Sequence, residues 1–173
     1  MSLDGQDIWT LDAIQRRYQR YCQKYHVEHH ALEPTDYMVE RGWATCMLRI
    51  LIERMKSGDL AAAEICLEMM EEDRSLAFGP IVKSNIPRAM AKCALTDRQK
   101  ERIRERVLTM LLRGYLPKEF RQYAWLARRL GLGEWEKKLS KVDLSNPWAK
   151  WYVDYLTQEH PPRPPSRPTS WGL

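Results

Sequence analysis

The sequence predicts an all-α fold, and three observations carry that expectation. Apolar residues recur at steps of three and four along most of the chain. Glycine and proline are sparse before residue 160 and fall where helices should begin or end. No stretch alternates apolar and polar residues over the length of a strand, so no sheet is expected.

Each element follows from that spacing. Leu11, Ile14, Tyr18, Tyr21 and Tyr25 make one seam of a first helix from Asp7 to Tyr25. A polar connection, His26 to Pro34, leads to a second helix capped by Thr35 or Asp36 and ending at Ser57 before Gly58. Trp43, Cys46, Met47, Ile50, Leu51, Ile52 and Met55 wrap more than half of its surface, which predicts a central helix. Gly58-Asp59 opens a third helix that runs into Glu71-Glu72-Asp73. Gly79-Pro80 and Asn85-Ile86-Pro87 each read as a helix start, because proline is tolerated in the first turn; a short turn and then a helix from Ile86 to Cys93 are expected. Thr96 and Gln99 match a capping box for a helix that turns Ile103, Val107, Met110 and Leu111 inward and stops at Gly114. Pro117 begins the next helix, which ends at Leu130-Gly131. A short helix from Trp135 to Val142 follows, and Ser145-Asn146-Pro147 opens the last.

Length fits one helical domain over 1–159, with a flexible proline-rich tail over 160–173. Gly58 aligns with Gly114 in a weak internal echo of helix, tight turn and helix, the hairpin from which helical repeats are stacked. Gly58-Asp59-Leu60, Ala63, Leu67 and Met70 resemble the second half of a tetratricopeptide repeat. That resemblance implies stacked antiparallel helical hairpins, and a HEAT-like array or an irregular bundle fits the same spacing.

The net charge of +5 is unevenly spread. Residues 36–75 hold five Lys/Arg against nine Asp/Glu, and residues 76–141 hold sixteen against six. No P-loop, H-E-x-x-H, G-x-S-x-G or glycine-rich dinucleotide motif occurs. The leading expectation is therefore a non-enzymatic interaction or adaptor protein that binds another macromolecule through its charged helical surface. Arg98, Arg102 and Arg106 form a stripe four residues apart, and Arg121, Arg128 and Arg129 extend the charge along the next helix. A nucleic-acid-binding protein using this basic face (98–141) and an all-α enzyme without a familiar motif are the alternatives.

Trp148, Trp151, Tyr152 and Tyr155 make an aromatic stripe on the last helix, read as a docking face for the helix or as a contact between two copies of the chain. Pro162, Pro165 and Arg167 fit a P-x-x-P-x-R ligand pattern. Cys22, His26 and His30 would share one face of an unbroken helix and could then hold zinc; a break near Val27 would leave the histidines in a solvated linker, and no metal or other cofactor is expected. Glu64, Glu68, Glu71 and Glu72 read as an exposed acidic face. The cysteines occur singly, no leader-like segment opens the chain, and no run approaches the roughly 18 apolar residues of a membrane span. Cytoplasmic localisation, with reduced core thiols, is the expectation.

Overall fold

The computed structural model describes residues 8–33, 43–73 and 79–165. Among these the protein is all-helical: eight helices and no strand. The α-helices are α1 (Leu11–Tyr25), α2 (Trp43–Lys56), α3 (Leu60–Glu71), α4 (Gly79–Met90), α5 (Asp97–Leu112), α6 (Phe120–Leu130) and α7 (Pro147–Thr157), with a 3-10 helix over Gly133–Lys141. The chain forms two compact units, Met1–Arg102 and Ile103–Leu173.

In the first unit α3 packs against α1, α2 and α4. Its run Ala61–Leu67 is buried on every side, as are Met69 and Met70. The helix expected to be central, α2, does touch both α3 and α4, but it keeps an exposed polar edge at Arg49, Glu53 and Lys56. Full enclosure falls to α3 because three successive alanines let neighbouring helices approach from sides where larger residues would hold them off.

Three helices close with the same turn. The amide of Gly58 bonds to the carbonyl of Met55 and that of Asp59 to Arg54; Gly114 and Tyr115 repeat this on Leu111 and Met110, as do His26 and Val27 on Gln23 and Cys22. A residue of positive φ closes each of them: 94° at Gly58, 64° at Gly114 and 52° at His26. A Cβ built on Gly58 meets nothing within 4 Å. Gly58→Ala should therefore cost only backbone strain, about 1–2 kcal/mol, seen as a lower urea midpoint; an unchanged midpoint would contradict the left-handed turn.

Most expected boundaries hold to within a few residues. Asp59 caps α3, its Oδ1 accepting from the Ala62 amide at 2.9 Å. Thr96 and Gln99 form the expected box, each side chain accepting from the other's amide. Asn146 caps α7 with Pro147 in its first turn. The proposed caps of α2, Thr35 and Asp36, lie outside the described residues.

Two expectations are corrected. Asn85-Ile86-Pro87 does not start a helix: α4 runs unbroken from Gly79 to Met90 with Pro87 inside it. The ring removes one hydrogen-bond donor, but Val82, Ile86, Ala89 and Met90 are all buried, and that burial outweighs the lost bond. The helix also stops short of Cys93, which closes a turn on Met90. Pro117 sits one turn before α6, in a turn closed by the Phe120 amide on its carbonyl at 2.9 Å.

In the second unit α6 packs on α7. Phe120, fully buried, meets Tyr152 edge-on at 4.7 Å, and Tyr123, Ala124, Leu126 and Ala127 complete the inward face of α6. The segment expected as a short helix from Trp135 is a 3-10 helix with Leu139 as its buried anchor. Arg104 donates to the carbonyls of Leu130 and Gly131, closing the C-terminus of α6.

Candidate functional site

The acidic residues of α3 are engaged by neighbouring helices rather than left to solvent, with Glu64 buried and Glu68 and Glu71 half-buried. Tyr18, Tyr21 and Tyr25 of α1 each end on a carboxylate: Tyr18 donates to Asp59 at 2.5 Å, Tyr21 to Glu68, and Tyr25 to Glu64 at 2.8 Å. Arg17 bonds to Glu68, and Trp9 donates its indole N–H to Glu72 at 3.0 Å. From the start of α5, Arg102 grips Glu71 through Nε and Nη2, at 2.9 and 2.5 Å, and reaches Glu64 with Nη1. Gln99 donates to Glu64 at 3.0 Å and to the Leu60 carbonyl at 3.3 Å.

Glu64 lies at the centre of this seam, 4% exposed. Burial pushes its carboxyl up, yet the hydrogen bonds from Tyr25 and Gln99 and the Arg102 guanidinium outweigh that and hold it below the usual carboxylate range. Burial and the Glu64 bond raise Tyr25 to about 12, and burial with Glu68 raises Tyr21 further. Both oxygens of Glu64 are occupied by donors from the chain itself. The seam is a set of satisfied internal charges that fixes α1, α3 and the start of α5 against one another.

Away from this seam, the first unit shows a different surface to solvent. Arg49, Glu53 and Lys56 of α2 face Asn85, Arg88 and Lys92 from α4 and the turn after it. Together they surround a groove of about 610 Å³, with Ile52 and Ala89 as its nearly buried apolar floor. Lys56 pairs with Glu53 at 2.5 Å. Arg49, Arg88 and Lys92 are exposed and make no ion pair or hydrogen bond among the described residues. A second groove, about 470 Å³, runs beside Ile8, Arg16, Arg17 and Arg20, but all three Arg17 nitrogens are already bonded, to Ala13, Glu68 and Ile8.

The sequence-predicted arginines divide sharply. Arg98 and Arg121 are exposed. Arg102 belongs to the carboxylate seam and Arg106 is 9% exposed. Arg129 is exposed and lies 6.0 Å from the Trp125 ring centre. Arg128 stacks over Tyr155 at 4.8 Å and donates to the carbonyls of Tyr155, Gln158 and Glu159 at 2.6, 3.1 and 2.9 Å. Trp148, Trp151 and Tyr155 are half-buried and packed ring to ring, with Trp148 6.0 Å and Tyr155 5.2 Å from Trp151.

Arg49, Arg88 and Lys92 escaped the sequence reading although their spacing was visible. Arg49, Glu53 and Lys56 share a face of α2, and Asn85, Arg88 and Lys92 recur at three and four. Breaking α4 at Pro87 hid the second row.

The zinc geometry does not form. α1 ends at Tyr25, and the left-handed His26 turns the chain away from the axis that would have placed His30 above Cys22. No group of three or more metal-ligating side chains occurs among the described residues. No disulfide joins Cys22, Cys46, Cys66 or Cys93, and burial raises the pKa of Cys22, Cys66 and Cys93. No described helix is long and apolar enough to cross a membrane. Neither a family model, nor a curated protein, nor a solved structure matches this chain.

Proposed function

We propose that this protein is a non-enzymatic helical interaction module that binds an acidic macromolecule through the cationic groove between α2 and α4. The observation that carries this is the set of three cations, Arg49, Arg88 and Lys92, that have no acid partner among the described residues and surround an apolar floor. An exposed charge with no internal partner keeps its long-range attraction for an oppositely charged surface, and an apolar floor adds contact area once that surface arrives. Among the described residues the groove has no aromatic platform for stacked bases, so an acidic protein surface fits better than single-stranded nucleic acid.

The proposed architecture is an array of helical hairpins, supported by the identical glycine turns at Gly58 and Gly114. A cytoplasmic setting is supported by four cysteines that form no disulfide among the described residues. Nucleic-acid binding through the basic face of residues 98–141 is the second reading, favoured by exposed Arg98 and Arg121 but weakened by the internal use of Arg102 and Arg128.

The test is charge reversal. The paired substitution Arg49→Glu with Arg88→Glu should lower affinity for a captured acidic partner at least tenfold while leaving the circular dichroism unchanged. Salt titration against duplex and single-stranded oligonucleotides separates the two readings, because phosphate contacts give a steep loss of affinity with salt. Tight oligonucleotide binding that survives the groove substitutions and is lost with Arg98→Ala and Arg121→Ala would shift the function to nucleic acid.

A further inference from the structure

The start of the proline-rich segment is held by the second unit, and the way it is held has a recognisable chemistry. Proline has no backbone N–H, so a proline-rich chain offers carbonyl acceptors and almost no donors. A surface that recognises such a chain must therefore supply donors, set among flat apolar faces that fit the pyrrolidine rings. α7 and its neighbour provide both. Trp151 donates its indole N–H to the Pro162 carbonyl at 2.8 Å. Arg128 donates to the carbonyls of Gln158 and Glu159, steering the chain as it leaves the helix. Trp148, Trp151 and Tyr155 lie in ring-to-ring contact, with Trp148 at 77° and Tyr155 at 23° to Trp151. Pro161 and Pro165 are half-buried, whereas Pro162, Arg163 and Pro164 are exposed.

We propose that the aromatic face of α7 is a polyproline-binding surface, occupied in this chain by its own segment Pro161–Pro165, and that its partners in trans are proline-rich peptides able to replace that segment. The proposal is independent of the cationic groove, since it uses different residues and a ligand of different chemistry. It also gives a role to the P-x-x-P-x-R pattern: Pro162 and Pro165 belong to the segment held here, while Arg167 lies outside the described residues. Covalent attachment gives the internal segment a high effective concentration, so an external peptide competes poorly until the internal one is weakened.

The experiment uses the full chain in three forms: wild type, a variant with Pro161, Pro162, Pro164 and Pro165 each changed to serine, and that variant with Trp151→Phe added. The probe is a fluorescein-labelled peptide of residues 160–168, read by anisotropy, with a proline-to-serine version as control. The four-serine variant should bind the probe at least tenfold more tightly than wild type. Adding Trp151→Phe, which keeps an aromatic ring but removes the donor, should weaken binding at least fivefold. The control peptide should not bind. A folded four-serine variant that ignores the probe, equal binding by the variant and wild type, or an inert Trp151→Phe change would each overturn the proposal.

Discussion

Glu64→Ala should destabilise the first unit by about 3–5 kcal/mol, the usual cost of breaking a buried ion pair by removing one partner. The substitution leaves the Gln99 amide, the Tyr25 hydroxyl and one Arg102 nitrogen without their acceptor. Urea unfolding at neutral pH measures the loss. A double-mutant cycle of Glu64→Ala with Arg102→Ala should show coupling, because both changes remove the same Glu64–Arg102 contact while Arg102 keeps its two bonds to Glu71 in the Glu64 variant. Additive effects would show that Glu64 acts as simple filling.

The same carboxylate shapes the response to pH. Its folded pKa lies below the ordinary carboxylate value of about 4.3, so its stabilisation is complete above that value and fades as pH falls through the folded one. Tyr25 behaves in the opposite sense. With its folded pKa raised to about 12, its contribution is complete below the ordinary value of about 10 and is lost as pH rises between the two. Glu64→Ala should flatten the acid edge of the stability profile and, by letting the Tyr25 pKa fall back toward its ordinary value, make the alkaline edge shallower.

Phe120→Ala is expected to destabilise the second unit on a similar scale, about 3–5 kcal/mol for a large buried ring. Phe120 is fully enclosed and forms the aromatic contact by which α6 meets α7. Its loss should open the connection between these helices and speed tryptic cleavage at Lys137, Lys138 and Lys141. Phe120→Leu should restore much of the stability, since it refills most of the space without the edge-on ring contact. Cleavage at the wild-type rate in the alanine variant would mean that α7 is held by something other than this ring.

Where the sequence announced this structure, it did so through local signals with one physical solution. Thr96 with Gln99, Asn146 with Pro147, and Gly58 and Gly114 satisfy helix ends by bonds a few residues long, which spacing alone reveals. Pro87 was misleading for a related reason: its local cost is legible, while the tertiary burial of Ile86, Ala89 and Met90 that offsets it is not. The acids of α3 show the same limit. Their spacing describes one face, but only packing decides whether solvent or another helix covers that face. A hint lay in α1, where tyrosines at 18, 21 and 25 bring three hydroxyls to an otherwise apolar seam, and those hydroxyls meet Asp59, Glu68 and Glu64. The charge asymmetry between the halves proved a poor map of the surface. Glu64, Glu68 and Glu71, counted toward a negative first half, are engaged by Gln99, Arg17 and Arg102, and the exposed cations of the groove include Arg49 from that same half.

Gln99 closes the first turn of α5 with Thr96 and also holds Glu64 and the Leu60 carbonyl on α3. Helix initiation is the unfavourable step of helix growth, because several dihedrals are fixed before the first bond forms. Here the side chain that lowers this barrier is oriented by residues some 35 positions earlier. Fraying at the head of α5 and loosening of α3 therefore become a single cooperative event.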